Sequence, residues 1–72
     1  MSKEERLLPL ATLEKLLKNA GAERVSESAC IALKNYLENE AQRIGKKSIT
    51  YALHAGRKTI KDKDIELVLK NQ

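Results

Sequence analysis

Apolar residues recur along the chain in three segments, and in each they follow the three- and four-residue spacing of an amphipathic α-helix. Four leucines form the apolar face of the first segment: Leu10, Leu13, Leu16 and Leu17. Pro9 suits the first turn of a helix, where its missing N–H group is not needed. Gly21 suits a helix end, because glycine readily adopts the left-handed backbone conformation often found there. The first segment is therefore predicted to be a short helix that begins at Pro9 and ends before Gly21.

The second segment is long and has no breaker except the isolated Gly45 between Ser26, a predicted N-cap, and Gly56. Its stripe consists of Ala29, Leu33, Tyr36, Leu37, Ala41, Ile44, Ser48, Ile49, Ala52 and Ala55. A helix of about 29 residues is about 43 Å long, whereas a compact globule of this chain length is only about 29 Å across. Two short flanking helices cannot cover such a stripe, so the pattern predicts an obligate dimer. The residues expected in the dimer core are Leu33, Leu37, Ile44, Ile49 and Ala52.

The third segment follows a short extended link at residues 57–60 and is predicted to be a helix from Lys61 to Lys70. Acidic residues lie early in this segment, where the helix dipole favours negative charge. The residues predicted to face inward are Ile65, Val68 and Leu69. The fold class is therefore all-α, with a short helix, a long central helix and a second short helix.

Length and composition exclude several classes of protein. Residues 1–72 are predicted to form a single domain, with residues 1–7 as a short N-terminal extension. One cysteine and one histidine cannot supply an intrachain disulfide or a four-ligand zinc site. The chain has no P-loop, no GxGxxG and no Ser-His-Asp arrangement, so neither an enzyme nor a bound cofactor is predicted. The longest apolar run, residues 7–11, is far too short for a membrane span. A soluble, cytoplasmic protein with no membrane or small-molecule partner is expected.

Charge favours a polyanionic partner. Lys and Arg number 14 against 10 Asp and Glu, which gives a net charge of +4 and a pI near 9.4. Residues 56–72 contain half of this surplus. The two tyrosines, with no Phe or Trp, offer few rings for base stacking, so duplex rather than single-stranded nucleic acid is favoured. An ordinary mixed-charge surface is the alternative explanation.

Two motifs at the predicted loops, at the correct distance from each other, resemble those of archaeal histones. The first is GAERVS at residues 21–26, and the second is HAGRKTIK at residues 54–61, followed by DIEL at residues 64–67. The match runs from about Leu8 to Leu69. The resemblance implies a histone fold, in which two chains clasp in a handshake dimer around crossed long helices and bind the outside of bent duplex DNA.

The resemblance also implies which residues contact DNA. Arg24 corresponds to an arginine that enters the minor groove, where narrow spacing concentrates negative potential. Lys58 and Thr59 match positions that contact phosphate. For each lysine the alternative is a solvated surface position. The full set expected on DNA is Arg24, Lys58, Thr59, Lys15, Lys18, Ser26 and Lys61.

Two further contacts are implied by the resemblance. Arg57 and Asp64 would form a salt bridge that fixes the second loop against the last helix. A contact between dimers would consist of Tyr51, His54, Asp64 and Leu67. There His54 of one dimer would pair with Asp64 of the next, and protonation of His54 is expected to strengthen that pair.

Some residues depart from the family pattern. Glu40 interrupts the apolar stripe near the expected helix crossing, where two copies would repel or one would take up a proton, unless the carboxylate pairs with Arg43 or Lys47. Gly45 costs about 1 kcal/mol relative to alanine in a helix, which indicates a close approach of another helix. Three uncharged residues stand where relatives often have basic groups: Cys30, Gln42 and Leu53.

The leading interpretation is an archaeal-type histone that binds, bends and wraps double-stranded DNA with little sequence preference. It would act as homodimers that assemble into tetramers or larger oligomers on DNA, and it would associate with the chromosome in the nucleoid. The alternative is a histone-fold module for protein–protein interaction with weak or no DNA binding, such as one half of a heterodimeric transcription factor.

Overall fold

A computed structural model describes residues 8–72, and over this range it consists of three α-helices joined by two loops. The helices are α1 (Leu10–Asn19), α2 (Glu27–His54) and α3 (Asp62–Lys70). The predicted all-α class and the order of short, long and short helices are confirmed. The predicted extension at residues 1–7 lies outside the described residues.

Pro9 and Gly21 define the two ends of α1. Pro9 precedes the helix with an extended backbone, and its carbonyl accepts hydrogen bonds from the N–H groups of Thr12 and Leu13. It is thus the N-cap residue rather than the first helical residue. At the other end Gly21 has a φ of 120°. The Ala22 N–H donates to the Leu17 carbonyl at 3.2 Å, which closes a glycine-dependent Schellman motif.

The same devices delimit α2, which is 28 residues long without interruption. The Ser26 hydroxyl accepts a hydrogen bond from the Ala29 N–H at 3.1 Å, as predicted for an N-cap. Gly56 has a φ of 75°, and the Arg57 N–H donates to the Ala52 carbonyl at 2.9 Å. This second Schellman motif turns the chain into the loop that precedes α3.

The first residue of α3 is Asp62, one position later than predicted. Lys61 precedes the helix with an extended backbone, and its N–H donates to the Asp64 carboxylate at 2.8 Å. A carboxylate in the first turn thereby satisfies a backbone donor that has no helical partner.

The packing of the backbone divides the chain into two units, one ending at Asn39 and one comprising Glu40–Gln72. In the first unit Leu13 and Cys30 are buried. In the second the buried residues are Ser48, Ala52, Asp64 and Val68. The Ser48 hydroxyl donates to the Ile44 carbonyl at 2.8 Å, so this buried polar group is satisfied within its own helix.

Many apolar side chains remain exposed in the single chain. Those at least one-third exposed are Leu16, Ile31, Tyr36, Ile49, Leu53, Ile60, Leu67 and Leu69. The prediction that Leu69 faces inward is wrong for the single chain, because the buried face of α3 is the one shared by Asp64 and Val68. Among the expected dimer-core residues, Ala52 is already buried within its own chain, whereas Ile49 is exposed.

Glu40 has a partner on its own helix. The Arg43 Nη2 atom lies 2.8 Å from Glu40 Oε1, and both side chains are about one-third exposed (36% and 31%). The hydrogen bond from Arg43 lowers the pKa of Glu40, so the carboxylate stays ionised. Of the outcomes considered from the sequence, pairing with Arg43 is the one seen in the single chain, and proton uptake by Glu40 is not.

Among residues 8–72, no helix is long and apolar enough to cross a lipid bilayer. The same range contains no cluster of three or more His, Cys, Asp or Glu side chains suited to hold a metal ion.

Two glycine substitutions should have opposite effects on stability. A Cβ atom at Gly45 meets nothing within 4 Å in the chain, and no positive φ is required there. We expect Gly45→Ala to stabilise the protein by about 1 kcal/mol, the difference in helix propensity. Gly56→Ala should destabilise it by about 1 kcal/mol, because its φ of 75° is unfavourable for alanine. Thermal unfolding of both variants measures this. Destabilisation by Gly45→Ala would instead show that a second chain approaches Gly45 closely.

Candidate nucleic-acid interface

The first loop, between α1 and α2, presents Arg24 and Ser26 at the surface of the first unit. Val25 between them is half-buried, so the loop has an apolar anchor flanked by two exposed polar residues. The Ser26 hydroxyl lies 3.1 Å from that of Ser28 and also caps α2. The N-terminus of a 28-residue helix, which favours anions, therefore follows Arg24 closely in the sequence.

The second loop, between α2 and α3, presents Lys58, Thr59 and Lys61, and all three are exposed. Arg57 and Asp64 hold this loop from beneath. The guanidinium donates to both carboxylate oxygens, from Nη1 to Oδ2 at 2.9 Å and from Nη2 to Oδ1 at 3.0 Å. This two-point geometry is the strong form of an arginine–carboxylate contact.

The Arg57–Asp64 pair also fixes the loop backbone. Arg57 Nη1 donates to the Thr59 carbonyl at 2.9 Å, and Asp64 Oδ2 accepts the Lys61 N–H at 2.8 Å. The backbone is thus held at Thr59 and Lys61, and the side chains of Lys58 and Thr59 lie on a fixed segment. A fixed loop loses less conformational entropy on binding than a mobile one.

Electrostatics keep this pair ionised. The hydrogen bond from Arg57, followed by that from the Lys61 backbone, lowers the pKa of Asp64 from 3.8 to about 2. The same contact raises the pKa of Arg57. Asp64 is only 1% exposed, so its charge is neutralised locally and adds little repulsion toward an anionic ligand.

The two lysines expected on α1 differ in their surroundings. Lys15 is exposed. Lys18 lies 3.4 Å from Glu14, and both side chains of this pair are about half exposed. Exposed i,i+4 pairs are weak, so phosphate can compete for Lys18, although Glu14 reduces the net charge available. The sequence interpretation missed this pair, although the four-residue spacing of Glu14 and Lys18 could have revealed it.

The expected DNA-contact residues fall into two groups, one in each unit. The first unit brings together Lys15, Lys18, Arg24 and Ser26 on α1 and the first loop. The second unit contains Lys58, Thr59 and Lys61 on the loop held by Arg57 and Asp64.

A separate groove in the second unit includes two residues expected between dimers, Tyr51 and His54. Leu67 is 41% exposed, whereas buried Asp64 does not line the groove. The sequence interpretation did not include the other lining residues, although three- and four-residue spacing relates most of them to the predicted ones. They are Lys47, Thr50, Val68 and Asn71.

The interpretation of Cys30 as a DNA-facing position is corrected by its burial. Its side chain is buried against the first unit's interior and lines a groove there with Val25 and Leu10. Gln42 and Leu53, the other two uncharged departures, are exposed.

Comparison with known proteins is consistent with these features. Residues 6–69 match the family described as histone-like transcription factor (CBF/NF-Y) and archaeal histone. The chain is 52% identical over 63 residues to archaeal histone HAN1 of Thermococcus zilligii, covering 88% of this chain and 94% of that protein. It is 44% identical over 63 residues to probable archaeal histone 3 of Methanocaldococcus jannaschii, with the same coverage of both chains.

Replacing Asp64 should change the acid stability of the protein. The folded-state pKa of about 2 lies below the unfolded value near 3.8, so the ionised carboxylate stabilises the fold above pH 3.8. This stabilisation disappears as the pH falls toward 2. Asp64→Asn should therefore unfold at a lower temperature at neutral pH, and its melting temperature should fall less steeply than the wild type's between about pH 4 and pH 2.

Asp62→Asn is the matched control, because Asp62 is an exposed carboxylate in the same helical turn. Melting temperatures followed by circular dichroism across this pH range give the comparison. Parallel acid profiles for Asp64→Asn and the wild type would contradict the assigned role of the ion pair.

Proposed function

The chain belongs to the family of histone-like transcription factors and archaeal histones, and we propose on this basis that it binds and compacts double-stranded DNA. The resemblance predicted from the loop motifs is confirmed by these comparisons. The family is one of DNA-binding chromatin proteins rather than enzymes. Chromosome association in the nucleoid follows from this function.

The observation that carries the proposal is the second loop. Arg57 and Asp64 hold the backbone on which Lys58 and Thr59 are exposed. A lysine and a hydroxyl on a fixed backbone suit phosphate oxygens, which supply affinity without reading base sequence. Arg24, exposed on the first loop, supplies a cation that suits the narrow minor groove of bent DNA.

The active form in this proposal is a homodimer that clasps through α2. Leu33, Leu37 and Ile44 are only half-buried in the single chain, and Ile49 is 48% exposed. Handshake pairing with a second copy would cover these side chains and remove a contiguous apolar surface from water. A chain with so few fully buried residues gains much of its stability in this way.

Assembly of dimers into tetramers and larger oligomers is the further step. Tyr51 and His54 line one groove, and Leu67 is exposed, so these residues are available for a contact between dimers. Asp64 already accepts three hydrogen bonds from Arg57 and Lys61. A carboxylate has about four acceptor sites, so His54 of another dimer would share this carboxylate with Arg57. Such chaining would wrap DNA continuously rather than only bend it.

A second function, protein pairing with weak DNA binding, is favoured by specific observations. Glu14 partly neutralises Lys18, and Gln42 and Leu53 place uncharged side chains on the surface. Titration onto random-sequence duplex DNA at two salt concentrations, with nuclease protection, separates the two functions. Protection in regular steps that weakens with salt supports compaction, and no binding at low salt supports the pairing module.

Removing Lys58 should weaken DNA binding equally on all sequences. Each neutralised phosphate contributes about 0.9 to the slope of log affinity against log salt, so Lys58→Ala should reduce that slope by about one. Lys70→Ala, at an exposed lysine in the last turn of α3, is the charge-matched control. Equal slopes for both variants would show that Lys58 does not contact phosphate.

A charge on the apolar face of α2 should prevent dimerisation. Ile49 makes few contacts in the single chain because it is nearly half exposed, so Ile49→Asp acts mainly on the surface assigned to the second copy. Sedimentation equilibrium at micromolar concentration should show a dimer for the wild type and monomer or unfolded chain for the variant. Gln42→Asp, on an exposed position of the same helix, should remain dimeric. A fully dimeric Ile49→Asp would refute the assigned interface.

A further inference from the structure

An ion pair lies in the apolar stripe of α2. Glu40 is three residues after Leu37 and four before Ile44, so all three share one helix face. Its carboxylate accepts hydrogen bonds from Arg43, at 2.8 Å to Nη2 and 3.4 Å to Nε. No residue from 31 to 47 is fully buried in the single chain, so this pair lies in the least covered part of the helix.

The pair is also held from α3's end of the chain. Arg43 Nη2 donates to the side-chain Oε1 of Gln72 at 2.6 Å. The guanidinium is therefore positioned by two acceptors, one three residues away and one 29 residues away along the chain. A positioned charge pair can recognise a partner without first losing side-chain freedom.

The consequence rests on the proposed handshake dimer. If two copies of α2 cross antiparallel at their midpoints, between residues 40 and 41 of Glu27–His54, then Leu37 faces Ile44 of the second copy. Glu40 then lies about 3 Å along the helix axis from the level of Arg43 of the second copy. Packed helices are about 8–10 Å apart, which long side chains span.

We propose that the Glu40–Arg43 pair is a recognition element, which makes a chain prefer its own copy over a histone-fold chain with apolar residues at these two positions. Facing a copy, the two carboxylates and two guanidiniums alternate in a ring and each charge gains a second partner. Facing an apolar chain, the pair loses its water and gains nothing in return. Selectivity then comes from penalising the wrong partner as well as from stabilising the right one.

Subunit exchange tests this without DNA. The wild type is mixed with the double variant Glu40→Met, Arg43→Met, and the three dimers are counted by native mass spectrometry after exchange. Random pairing gives a heterodimer fraction of about one-half. A coupling equivalent to about tenfold in the exchange constant, typical of contacting charges, lowers that fraction to about one-quarter. Gln42→Met, an exposed neighbour on α2, is the control and should exchange at random.

The outcomes are distinct. A heterodimer fraction of one-half for the double variant overturns the recognition role alone, and a fraction above one-half also overturns it by showing that the two carboxylates repel. A monomeric wild type overturns both this proposal and the handshake dimer. If the methionine variant does not fold alone, Glu40→Gln with Arg43→Gln replaces it, with the same expected deficit of heterodimer.

Discussion

The apolar face of α2 is only partly covered by the helices of its own chain, and this shortage constrains everything else in the molecule. Of residues 8–72, six are fully buried, and none of these lies between positions 31 and 47. Since apolar surface left in water gives up the main force of folding, such a helix is stable only where another surface meets it. Histone-fold pairing is the family's solution, and the departures seen here, above all the Glu40–Arg43 pair, lie on that same surface.

The helix ends determine where the functional side chains lie. Each of α1 and α2 ends in a Schellman motif with a positive-φ glycine, Gly21 or Gly56. These sharp ends make both loops short, and short loops place Arg24 and Lys58 next to well-defined helix termini. In the second loop a buried ion pair adds rigidity that backbone hydrogen bonds alone do not supply. The part of the chain that meets phosphate is therefore organised by groups that do not contact it.

Local signals in the sequence predicted the helices closely. Pro9, Ser26 and the two glycines act through their own backbone preferences, so helix limits were correct to about one residue, and the loop motifs identified the family. Burial was harder to predict. Leu69 and Cys30 were misplaced because periodicity does not tell which side of an amphipathic helix its own chain covers.

Charge partners were predictable where spacing is helical and less so elsewhere. The Glu14–Lys18 contact follows from four-residue spacing, yet it was overlooked because Lys18 was considered only as a phosphate ligand. The Arg43–Gln72 hydrogen bond joins residues 29 positions apart, and nothing in the local sequence indicates it. The Arg57–Asp64 contact came from family resemblance rather than from spacing.

The burial of Cys30 has a practical consequence. It is the chain's single thiol, and a shielded thiol reacts with an alkylating reagent only when the surrounding structure opens. Its labelling rate therefore acts as an intrinsic clock for breathing of the region around α1. Read with and without bound nucleic acid, that clock would report how far ligand binding quiets the fold.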